Sequence, residues 1–137
     1  MFPESVRSRL VVRPRFERQE LPSLLSGRGI LLFPSRSEGY PLSLVEAMAC
    51  GVAPVASAIP GVVDVVEHGV SGLLSPPEDW KGLADSILRL QSEPALLEAL
   101  RRGARERVAP TSWEPLARAQ MELFETLLSR RAGRAAR

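Results

Sequence analysis

GILLFPSRSEGYPLSLVEAMACG, residues Gly29–Gly51, is the stretch on which the fold turns. A short apolar run, Gly29–Phe33, leads into PSRSEGYP at Pro34–Pro41, where proline, serine and glycine dictate turns. The apolar LSLVEAMACG comes next at Leu42–Gly51 and reads as a helix, with Gly51 suited to the left-handed residue that ends one. Strand, polar loop and helix in that order form the unit of an α/β domain with a parallel sheet. Outward from it, Arg9–Val12, Ala53–Ser57 and Gly72–Ser75 are further short apolar runs bounded by Pro, Gly or Ser. The expected fold class is therefore α/β: a parallel sheet of about four strands flanked by helices, with a helical C-terminal segment.

The connectors fit that plan. ERQELPSLLSGR, between the first two runs, reads as a short helix with Pro22 at its start, where a missing N–H leaves no intrahelical bond unmade. From Trp80, the apolar positions Trp80, Leu83, Ala84, Ile87 and Leu88 recur at helical spacing and predict one buried face. Pro94 interrupts this helix. A second carries Leu97, Leu100, Ala104 and Val108 and closes at Pro110. Thr111-x-x-Glu114 reads as a capping box for a last helix with the stripe Trp113, Ala117, Met121, Phe124 and Leu128, fraying after Ser129. Trp80 and Trp113, each at a helix start with apolar partners, are expected in the core.

Composition sets the bounds. At 137 residues the chain has the length of one domain, 1–137, with ordinary apolar (45%) and charged (25%) fractions. No apolar stretch approaches a membrane span, and the first residues lack the apolar core of a secretory signal, so the expected compartment is cytoplasmic. The formal charge of +2 is too mild to imply nucleic acid. Of the lysines and arginines all but Lys81 are arginine, and they cluster at the two ends, at Arg7–Arg18 and again at Arg130–Arg137. Solvated ends are the plain reading; peripheral contact with anionic lipid head groups is the competing one. One histidine and one cysteine offer no ligand cluster, so no metal is expected. Cys50, on the apolar helix, reads as a small hydrophobe, and His68, in VEHGVSG, as a solvated loop residue rather than a catalytic base.

The loop and helix at Pro34–Gly51 are also where the chemistry is expected. In open α/β sheets ligands bind beyond the carboxyl ends of the strands, and helix N-termini there offer free N–H groups and a positive dipole to phosphate. The amides of Gly39, Tyr40, Leu42 and Ser43 are the candidates; Pro41 has no N–H to give. Glu46 shares a row with Leu42, Val45 and Ala49 at helical spacing. An unpaired buried carboxylate costs several kcal/mol, of order 3 to 5, so Glu46 either meets donors such as the vicinal hydroxyls of a sugar, or lies at the exposed edge of the row or against an arginine. Arg36 is the one basic residue within the loop. Ser35 and Ser37 can donate to a ligand or serve the turn alone.

Together with the two segments C-terminal to them, these residues resemble the signature of group 1 (family 4) glycosyltransferases. Ser35-x-x-Glu38-Gly39-Tyr40-Pro41-Leu42-x-Leu44-Val45-Glu46-Ala47-Met48-Ala49-Cys50-Gly51 precedes Ala53–Ala56 (APVA) and Pro60–Leu74 (PGVVDVVEHGVSGLL). The resemblance runs from about Leu10 to the last helix. It implies the GT-B fold of two Rossmann-like domains, of which this is the C-terminal, donor-binding part. It further implies transfer of a sugar from a nucleotide-sugar with retention of configuration, without cofactor or metal. Glu46 matches the glutamate that binds the nucleotide ribose. Glu38 matches the catalytic-site glutamate near the donor sugar and its anomeric carbon, and the amides of Gly39–Ser43 match those that hold sugar and diphosphate.

The departures from the family pattern carry expectations of their own. Pro41 stands where many members have glycine, and Asp64 where a glutamate is usual. Nothing in Met1–Arg18 clearly replaces the Arg and Lys that neutralise the leaving diphosphate in the family, and Arg36 stands in for them at most in part. Such preorganised charge is often the largest catalytic contribution. The isolated chain is therefore expected to bind a nucleotide weakly or not at all, and to turn over only within a longer polypeptide or with a partner supplying the acceptor domain. The family's sheet order puts a gap between Arg9–Val12 and Gly29–Phe33. Either the two runs collapse together or an open edge remains, which invites pairing with another copy of the chain. The alternatives to a transferase are a non-catalytic binding or assembly module and, more distantly, a sugar-nucleotide epimerase.

Overall fold

The computed structural model describes residues 3–27, 29–111 and 113–135. Three parallel strands, β1 (Ile30–Phe33), β2 (Ala53–Ser57) and β3 (Leu73–Ser75), form one sheet in the order β1-β2-β3. Ile30 lies opposite Ala53 and Val55 opposite Leu73. Before the sheet come α1 (Glu4–Arg7), a 3₁₀ turn (Arg18–Glu20) and α2 (Leu21–Leu25). Within it lie α3 (Leu42–Ala49) and α4 (Val62–Val65); after it come α5 (Trp80–Ser92), α6 (Pro94–Val108), a 3₁₀ turn (Ala109–Thr111) and α7 (Trp113–Ala135). No helix among the described residues is long and apolar enough to cross a membrane.

Every residue of β2 is buried, as a central parallel strand covered on both faces must be. Its alternate side chains feed two core clusters. Ala56 joins Leu44, Met48, Val62, Val66, Ala104 and Val108 under α3, α4 and α6. Ala53 and Val55 join Leu73, Leu83, Leu90 and Leu100 under α5 and α6. Thus α6 serves both faces, which is why its row Leu100, Ala104 and Val108 is buried, as its spacing predicts.

Local signals set the element ends. Gly51 lies just past α3 at φ +74°, and its carbonyl accepts from the Arg101 Nε at 2.8 Å, so α6 closes the end of α3. Arg107 does the same for α4, donating to the carbonyls of Val65 and Asp64, both at 3.2 Å. Asp79 caps α5 by accepting from the Gly82 amide at 2.9 Å. Pro94 does more than interrupt: it begins α6 in the first turn.

Several expectations are corrected. The sheet has three strands, because among the described residues Arg9–Val12 finds no ladder partner: the Arg9 and Leu10 amides turn back to the carbonyls of Val6 and Arg7, and Val11 and Val12 are 79% and 80% exposed. β-Branched residues favour strands by packing on a pleated neighbour, and none is presented to this run. Of the two outcomes foreseen for the gap, the open edge is the one found: among the described residues β1 pairs only with β2, and Leu32 is 49% exposed. Trp80 is 78% exposed, so it is not core. The buried face of α5 runs instead through Leu83 and Leu90, with Ile87 packed beside them. On α7, Met121, Phe124 and Leu128 are exposed, and the helix runs past Ser129 to Ala135; the side chain of Trp113 lies outside the described residues. The Thr111 hydroxyl donates back to the Val108 carbonyl at 2.6 Å and so closes α6; the step at residue 112 that it was expected to cap lies outside the described residues.

Candidate functional site

Three loops leave the carboxyl ends of the strands, at 34–41, 58–61 and 76–79, and they touch one another. Gly61, at φ +82°, has its open side against the first loop: a Cβ placed there would stand 2.5 Å from the Gly39 carbonyl oxygen and 3.0 Å from that of Glu38. Arg36 Nε lies 3.5 Å from Glu78 Oε1, joining the first loop to the third. Glu78 holds φ +65°, a left-handed conformation rare for a residue with a side chain. The ends of β2 and β3 are tied by the Ala58 amide donating to the Ser75 carbonyl at 2.8 Å.

The start of α3 presents the amides foreseen, with one exception. Pro41 is buried, and its carbonyl accepts from Leu44 and Val45 at 3.0 and 3.1 Å, which begins the helix. The Leu42 amide donates back to the Tyr40 carbonyl at 2.9 Å and is therefore engaged. The amides of Gly39, Tyr40 and Ser43 make no backbone hydrogen bond among the described residues.

The helix rests on Leu44, Ala47 and Met48, so the row of Leu42, Val45, Glu46 and Ala49 is its outer one. Glu46 is consequently not a carboxylate sunk in the core. Its side chain is 37% exposed, and Oε1 lies 3.6 Å from Nη2 of Arg18, which is 79% exposed. The outer row forms one wall of a cavity of about 610 Å³. Tyr40, Leu42, Val45 and Glu46 line it on one side, Arg18 stands at Glu46, and Pro110, Thr111, Pro115, Leu116 and Ala119 close it from the end of α6 and the start of α7.

Of the residues singled out in the sequence, this cavity brings together Tyr40, Leu42 and Glu46. Glu38, Gly39, Ser43 and Arg36 do not line it; they belong to the adjoining loop and helix start, with Glu38 half-buried and Gly39, Ser43 and Arg36 exposed. Arg18 and the α6–α7 wall were not foreseen. They come from segments far away in the chain, and nothing in their spacing connects them to α3. His68 accepts from the Leu74 amide at its Nδ1, 2.9 Å away, and holds the turn before β3 at the opposite edge of the sheet. Cys50 is half-buried. Among the described residues no group of three or more His, Cys, Asp or Glu is placed to hold a metal.

A parallel α/β layer with a helix start after β1 that offers free amides, and a cavity against that helix, has the architecture of an open-sheet domain. The chain belongs to the glycosyl transferases group 1 family, whose sequence model matches residues 7–107. It is 32% identical over 111 residues to a D-inositol 3-phosphate glycosyltransferase of Saccharomonospora viridis, a match covering 81% of this chain and 26% of that protein. Among solved structures it superposes on sucrose-phosphate synthase of Thermosynechococcus elongatus with a TM-score of 0.84 and 32% identity, over 91% of this chain and 32% of that one. HepE of Anabaena, solved in complex with UDP-glucose, gives 0.67 and 28% identity over 82% of this chain and 30% of that one. The chain thus spans about a quarter of the curated relative's length.

Proposed function

We propose that this chain is the donor-binding portion of a retaining glycosyltransferase that moves a sugar from a nucleotide-sugar to an acceptor, and that by itself it binds the nucleotide weakly and does not turn over. Glu46 accepts from the ribose hydroxyls. The amides of Gly39, Tyr40 and Ser43 meet the diphosphate and sugar, with Leu42 as an apolar wall. Glu38 stands near the anomeric carbon, and Arg36 borders the same loop.

The observation that carries this reading is the cavity against the outer row of α3, lined by Tyr40 and by Glu46 with its half-exposed carboxylate, with the Ser43 amide one helical turn before Glu46 at the adjoining helix start. That separation is about the 5.4 Å of one turn, which suits a ribose and the phosphate attached to it. The UDP-glucose complex of HepE supports the ligand class, as a property of a protein similar to this one.

Calorimetric titration of the purified chain with UDP and with GDP tests the reading, heat with either being the expected result. Efficient sugar transfer by the chain alone would refute the second half of the proposal. A non-catalytic module is the rival reading, and it is favoured by the place of Arg36, the loop's only cation, which does not line the cavity. Such a module gives no heat with either nucleotide.

A further inference from the structure

We propose that Arg18 is the cation of this site: it rests on Glu46 in the free chain and passes to the diphosphate of the nucleotide when one binds. The proposal rests on the donor-site reading above and adds to it a residue that neither the sequence pattern nor the family match assigns.

Four observations lead to it. Arg18 is the only cationic residue lining the cavity among the described residues. Its contact with Glu46, at 3.6 Å between two side chains open to solvent, is of a kind that contributes little and exchanges readily. Its backbone, by contrast, is anchored: Arg18 opens a 3₁₀ turn in which the Glu17 amide donates to the Glu20 carboxylate at 2.7 Å. The other candidate cation, Arg36, does not line the cavity.

The electrostatics then require a role for it. A nucleoside diphosphate brings two or more negative charges into a cavity that already holds the Glu46 carboxylate. With Arg18 the protein side is neutral, and without it the ligand meets a like charge across a partly desolvated space. A planar guanidinium also matches phosphate oxygens better than it matches a carboxylate it touches at the edge of ion-pair distance. Once the phosphates draw Arg18 away, both carboxylate oxygens of Glu46 are free to accept from a ribose. The two events support each other.

The test is calorimetric titration of wild type, R18A and R18K with UDP and with uridine, at low and at moderate salt. R18A is expected to weaken UDP about tenfold or more while leaving uridine unchanged or slightly tighter, with R18K recovering part of the UDP affinity and the difference shrinking as salt rises. Arg18 is exposed, so the unfolding midpoints should coincide and show that the variants fold. Equal loss for uridine and UDP would place Arg18 on the nucleoside, and tighter UDP binding by R18A would make it only a competitor for Glu46; either result overturns the proposal. Wild-type affinity for UDP in R18A overturns it too, with the donor site intact. No binding by wild type overturns the donor site itself and this proposal with it.

Discussion

Replacing Gly61 with alanine probes the contact on which the geometry of the site depends. Gly61 holds φ +82°, and the Cβ of an alanine would meet the Gly39 carbonyl oxygen at 2.5 Å, that of Glu38 at 3.0 Å and the Gly39 carbonyl carbon at 3.3 Å. All three are backbone atoms, so no side-chain rotation relieves the overlap. The left-handed conformation costs an alanine about 1–2 kcal/mol. Restoring ordinary contact, near 3.5 Å, moves the loop by about 1 Å, and overpacking of this kind costs a further ~1–3 kcal/mol. The sum is about 2–5 kcal/mol. Gly69→Ala supplies the control, since Gly69 has φ +79° with nothing within 4 Å of the added atom. It should lose only the conformational ~1–2 kcal/mol. Urea unfolding of both variants, with UDP titration of each, is the assay. The expected result is a clearly larger loss of stability for G61A and weakened nucleotide binding in that variant alone. Equal losses for the two variants, or full UDP affinity in G61A, would show that the loop does not lean on Gly61 as described.

Other consequences are simpler. Trp80→Ala should change stability by no more than about 0.5 kcal/mol in urea unfolding, because the indole is exposed; a loss above about 2 kcal/mol would restore it to the core. Leu100→Ala, in the cluster joining α6 to β2 and β3, should cost about 2–5 kcal/mol by the same measurement. Asp79→Ala removes the cap of α5 and should cost about 1 kcal/mol with nucleotide binding unchanged.

How much of this was legible in the sequence differs from element to element, and for physical reasons. The strand–loop–helix unit at Gly29–Gly51 was readable because its turn residues and apolar runs act locally; β1, α3 and the left-handed Gly51 all lie where they were expected. The faces of α3 and α5 were not. Spacing reveals an apolar row but not which of two adjacent rows the sheet covers, so Trp80 was placed too deep, while for Glu46 spacing left two outcomes open and the one found is the outer row with an arginine beside it. Arg9–Val12 failed as a strand for a related reason: its residues suit a ladder, but a ladder needs a neighbour, and that depends on the rest of the fold. Of the candidate cavity, the wall made by Tyr40, Leu42 and Glu46 belongs to a stretch singled out in the sequence. The far wall and Arg18 were not legible there, because only folding brings residues 18 and 110–119 to α3.

Amide NMR of the nitrogen-labelled chain, titrated with UDP-glucose, most directly tests whether the carboxyl edge of the sheet holds the nucleotide-sugar. The largest shifts are expected at Gly39, Tyr40, Ser43 and Glu46, with smaller ones at Arg18 and Thr111. Shifts confined to the opposite edge, at Val52 and His68–Gly72, or no shifts at millimolar ligand, would contradict that assignment.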